Sequence, residues 1–163
     1  MAKKEKYRLS ALLELRERKK EEAEHYLAEC MQILRTEQER QRDMEAELER
    51  MEAKREERIR EYSEQAMRGE MSAQSAISSN VYIERLKEQE EAQKEVIENQ
   101  KRVVLQKKEA VDGARKDLVA ASQELKAIEK HKEKWEKALK KEREAKEEQA
   151  MDEIAQSAFF RDD

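Results

Sequence analysis

The sequence predicts an all-α protein, a long two-helix antiparallel coiled-coil hairpin whose C-terminal helix overhangs its partner. Three observations carry this. Charged residues make up 47% of the 163 positions, against about a quarter in an average globular domain. The aromatic residues are only two Phe, one Trp and four Tyr, too few for a thick core. Apolar residues recur with a seven-residue period on both sides of one short uncharged break near Gly69.

Disorder is the competing reading of so polar a chain, but disordered chains are enriched in Pro and Gly. This one has no Pro and two Gly and is rich in Ala, Glu, Lys, Arg, Leu and Gln, which are good helix formers. Forty acids and 36 bases leave a net charge of −4. The two signs are interleaved, as on a solvated helix, and no basic block points to nucleic acid. The lone cysteine, Cys30, excludes an internal disulfide and fits a reducing compartment. The basic start "MAKKEKYRLSALLEL" lacks the apolar run of a signal peptide. The longest uncharged run is 13 residues, Met71 to Ile83, short of the roughly 20 needed to span a bilayer. A soluble cytoplasmic protein is expected.

Helix 1 is placed at about residues 8–68. Its two seam rows read Leu13, Lys20, Leu27, Leu34, Gln41, Leu48, Arg55, Tyr62 and Leu9, Arg16, Ala23, Cys30, Glu37, Met44, Met51, Arg58. About half of these are apolar, so the helix is clearer than its pairing.

The turn occupies 69–72. Gly69 suits the left-handed position that ends a helix, and the Ser72 hydroxyl suits an N-cap. So short a link makes an antiparallel hairpin.

Helix 2 follows from about 73 to 157, completing a single coiled-coil hairpin over 1–163. Its rows are stronger: Ile83, Glu90, Ile97, Val104, Val111, Leu118, Leu125, Lys132, Leu139 and Leu86, Gln93, Gln100, Lys107, Ala114, Ala121, Ile128, Trp135. That unbroken frame is the mark of a coiled coil. Folding about residue 70–71 pairs residues whose numbers sum to about 141. Leu27 then meets Ala114, Cys30 meets Val111, Met44 meets Ile97, and the Gln41 and Gln100 amides face each other to set register. Helix 1 would be roughly 90 Å long at about 1.5 Å per residue, with about 25 residues of helix 2 beyond it.

Catalytic chemistry finds no support. Two glycines make neither a GxGxxG loop nor a P-loop. His25 and His131 lie on different helices and do not converge. The carboxylates alternate with Lys and Arg, as surface ion pairs do. No enzyme activity, cofactor or metal is expected. Cys30 reads as a small buried hydrophobe. Trp135 either closes the open end of the hairpin or binds a partner. The charge-dense stretch 129–148 is either a solvated helix or one that enters a channel of complementary charge. An exposed Phe159–Phe160 pair at the C-terminus points to partner contact.

Three segments resemble one family. "YRLSALLELRERKKEEAE" opens like the FliJ/YscO family of bacterial type III export stalk proteins. "MSAQSAISSNVYI" is similar to the hairpin tip of FliJ proteins. "MDEIAQSAFFR" resembles their C-terminal motif, carried by Met151, Asp152, Glu153, Ile154, Ala155, Gln156, Ala158 and Arg161, and favours the flagellar branch. "KEKWEKALKKEREAKEEQAMDEIAQ" also resembles injectisome members.

The resemblance implies a non-enzymatic cytosolic stalk, peripheral to the membrane export apparatus and monomeric alone. Its partners would be the hexameric export ATPase, the cytoplasmic domain of the export gate, and export chaperones. It assigns Leu9, Leu12, Leu13, Arg16, Met151, Ile154, Phe159, Phe160 and Arg161 to the ATPase side. It assigns Ile59, Tyr62, Tyr82 and Leu86 to the gate or chaperone side. The rival readings are a structural coiled-coil dimer and a holdase chaperone for exported proteins.

Overall fold

The structure, a computed structural model, describes residues 6–161. It is a helical hairpin of two long helices packed against each other, with no strand among the described residues. Helix α1 spans Ser10–Met67 and helix α2 spans Ala73–Arg161.

The reversal is held by backbone geometry. Gly69 takes φ +69°, a region costly for any residue with a Cβ. Its N–H donates to the Ala66 carbonyl at 3.2 Å, and the Glu70 N–H reaches the Gln65 carbonyl at 3.1 Å. These two bonds make a Schellman cap, which satisfies the last carbonyls of α1. The start of α2 is capped from a side chain. Ser72 Oγ accepts from the Ser75 N–H at 3.1 Å, and the Ser72 carbonyl accepts the first helical bond, from Ala76 N–H at 2.9 Å.

The seven-residue frame is visible in burial. From Ile83 to Leu139 every seam position of α2 is buried or half-buried. In α1 the same holds from Leu9 to Tyr62, with Arg58 the one exposed position. In the half-polar frame of α1, Arg16, Glu37 and Arg55 find partners across the seam, while Lys20, Gln41 and Arg58 pair within the helix. Arg16 pairs with Glu124 at 3.0 Å. Arg55 Nε donates to both carboxylate oxygens of the buried Glu90, at 2.8 and 3.0 Å, which raises the Arg55 pKa further above its ordinary value. No buried side-chain N or O lacks a partner among the described residues, so the polar seam escapes the cost of an unmatched group.

The pairing expected between Gln41 and Gln100 does not form. Gln41 donates to Glu45 on its own helix at 3.0 Å. Gln100 Nε2 donates to the Glu37 carboxylate at 2.7 Å and to the Glu37 carbonyl at 2.9 Å. A charged acceptor makes the stronger bond, so the amide reaches one turn along α1. Gln93, one heptad earlier, donates in the same way to the Met44 carbonyl at 3.0 Å.

The described residues fall into two compact units. One is 27–114, with the turn and the apolar cluster of Cys30, Val111 and Ala114 backed by Leu27, Met31 and Leu34. Ala114 opposes larger side chains there, which lets the helices approach closely. The other contains α1 as far as Tyr26 and the second half of α2, from Arg115 on.

Candidate functional site

The described residues offer surfaces rather than a catalytic centre. No group of His, Cys, Asp or Glu among them is placed to hold a metal ion. No described helix is long and apolar enough to cross a membrane. Cys30 is buried and forms no disulfide. Three surfaces stand out: the open end of the hairpin, the tail of α2, and the turn.

At the open end Tyr7, just ahead of α1, is buried. Its hydroxyl hydrogen-bonds His131 Nδ1, and its ring packs on Trp135 with centroids 5.1 Å apart. Periodicity could not find Tyr7, because it lies outside the helix. The sole hint was that Tyr7 and Trp135 obey the number sum of the hairpin. Beside this cluster is a cleft of about 540 Å³ with Tyr7, Trp135 and Leu139 as its apolar part and Lys132, Glu136, Lys140 and Arg143 around it.

Leu9, Leu12, Leu13 and Arg16 belong to this end but are half-buried against α2. The tail differs. From Lys140 onward every described residue is exposed, including Met151, Ile154, Phe159 at 72% and Phe160 at 76%. Arg161 closes the helix. Two sets assigned above to one partner are therefore separate in space. Lys132 and Met151 are about 28 Å apart along the α2 axis, and the first set is half-buried in the hairpin while the second is exposed, its one ring contact being between Phe159 and Phe160 among the described residues.

Near the turn, Ile59 is just exposed, Tyr62 and Tyr82 are half-buried, and Leu86 is 7% exposed within the seam. Leu86 reaches the outside through a narrow cleft beside Met51, Lys54 and Gln89. The exposed apolar side chains at this end are others: Met67 at 90%, Ile77 and Val81. They went unnoticed individually, although Ile77 and Val81 lie within the uncharged run.

Two long helices packed as a hairpin, the second with an exposed, apolar-ended tail, define a coiled-coil-like helical protein. The chain belongs to the YscO-like protein family, which it matches over residues 4–163, and this places it among type III secretion-related proteins. It is also similar to a solved structure described as a YscO homolog from Chlamydia trachomatis. The TM-score is 0.81 and the identity 27%, over 94% of each chain. No curated protein matches the sequence significantly.

Proposed function

We propose that this chain is a non-enzymatic cytosolic stalk of a bacterial type III protein export apparatus. Its termini enter the export ATPase hexamer and promote assembly and activity, and its turn faces the export gate and docks escorted chaperones. The observation that supports this most is the tail. A helix that runs on from Lys140 uncovered by any other described segment, and ends in exposed Met151, Ile154, Phe159 and Phe160, is built to be covered by another protein. Mixed charge along 140–148 suits weak reversible contacts, each worth under about 1 kcal/mol when exposed, as a part that moves in a pore requires. The family match carries the YscO name, which favours the injectisome branch over the flagellar one read from the C-terminal motif.

A gate or chaperone role at the turn is favoured by Met67, Ile77 and Val81 beside a run without charge. Deleting residues 150–163 is expected to abolish stimulation of the export ATPase while helicity by circular dichroism stays proportionate to length. Undiminished stimulation by the truncated chain would refute the assignment of the tail.

A further inference from the structure

We propose that the tail of α2 docks through the helix face turned away from the hairpin seam, into a partner groove that is apolar at its end and cationic one to two turns earlier. This rests on the docking role proposed above and specifies the face, the register and the chemistry of the receiving surface.

The seam rows are mostly apolar up to Leu139, interrupted by Glu90, Gln93, Gln100, Lys107 and Lys132. Continued at the same spacing they become Glu142, Lys146, Gln149, Glu153 and Gln156, with Phe160 the one apolar residue at the very end. The side of α2 that faces α1 in the hairpin thus turns polar once it is no longer covered. Apolar residues return from Met151 on, but elsewhere around the helix. At about 100° per residue, Met151, Ile154, Ala155 and Ala158 share an arc of roughly 100°, centred roughly 160° from the seam rows. Phe159 borders this arc and Phe160 falls on the seam side. All of them are exposed. A coiled-coil helix that had only outrun its partner would carry its seam onward; this one changes face.

The same arc carries Glu144, Glu147 and Glu148 immediately before the stripe, and these three border one hollow with Met151 and Asp152. None of them is ion-paired among the described residues. Of the neighbouring cations, Lys146 is held by Glu142 at 3.2 Å, Lys140 lies on the same arc one turn before Glu144, and Arg143 borders it. After Lys140 the docking face therefore presents a band of glutamates without ion pairs among the described residues, followed by an apolar stripe, and its complement is a cationic collar followed by an apolar groove. A second copy supplies no such complement. Parallel overlay of two stripes sets acid on acid, and beyond Lys146 the tail offers one base, Arg161.

The test uses the full chain and the export ATPase of its own secretion system, with affinity measured by interferometry. Ile154→Asp lies on the proposed face and Gln156→Asp on the seam side, both exposed and both adding one acid to the same turn. Ile154→Asp is expected to weaken binding at least about tenfold, the scale of one buried aliphatic side chain, and Gln156→Asp by less than about twofold. The double variant Glu147→Lys, Glu148→Lys is expected to weaken binding and flatten its salt dependence. Equal losses from Ile154→Asp and Gln156→Asp would overturn the face while leaving the ATPase partnership standing. A wild-type chain that does not bind the ATPase would overturn the partnership, and this inference with it.

Discussion

Val111→Ala tests the seam where the structure makes it tightest. Val111 is 3% exposed and packs with Cys30 and Ala114 under Leu27, Met31 and Leu34. The change removes two buried carbons, at about 0.8 kcal/mol each. Because the two backbones cannot fully close the gap, a cavity term adds to this. The expected loss is about 1.5–2.5 kcal/mol, roughly 3–8 °C in Tm for a chain of this size. Leu105→Ala is the control, since Leu105 is a larger residue, one heptad position away from the seam and 57% exposed. It is expected to cost under about 0.5 kcal/mol. Urea and thermal unfolding followed by circular dichroism measure both. If Leu105→Ala costs as much as Val111→Ala, or if Val111→Ala costs under about 0.5 kcal/mol, the packing described for this seam is incorrect.

Three further changes probe other elements. Gly69→Ala meets no atom within 4 Å of the added Cβ, so its cost is the left-handed backbone alone, about 1 kcal/mol, read as a fall in the urea midpoint. The pair Gln93→Leu, Gln100→Leu removes two side-chain amides and their three hydrogen bonds from the seam. It is expected to leave stability equal or higher while admitting oligomers that sedimentation detects, because polar seam residues fix register at a cost in stability; unaltered monodispersity would assign these amides no such role. Tyr7→Ala uncovers Trp135, the sole tryptophan, so the intrinsic fluorescence should shift to longer wavelength; an unmoved spectrum would contradict the Tyr7 contact.

The hairpin was legible because heptad spacing is a geometric consequence of two helices sharing one buried stripe. Ile97, Val104 and Val111 announce that stripe by their apolar character alone. The polar half of the seam was not legible in the same way. Lys20, Glu37, Gln41 and Arg55 look like interruptions in the sequence. Their tolerance depends on which side chain can reach which partner, and reach is diagonal. Residues joined across the seam have numbers summing to between 137 and 145, so a strict sum of 141 put Gln41 opposite Gln100 and missed Glu37. Tyr7 was illegible for another reason, since no periodicity extends into the segment before Ser10. The candidate docking residues divide similarly. Phe159 and Phe160 were visible as apolar residues in a charged segment, but the switch of helix face between Leu139 and Met151 becomes meaningful only once burial shows where the seam ends.

The central claim, a stalk that occupies the axis of a ring, is tested most directly by stoichiometry. Native mass spectrometry of the reconstituted chain with its export ATPase is expected to give one copy per hexamer, because a single pore admits a single two-helix stalk. A complex with several copies per hexamer, filling toward six as the chain is added, would instead place it on the outer faces of the subunits and contradict the stalk.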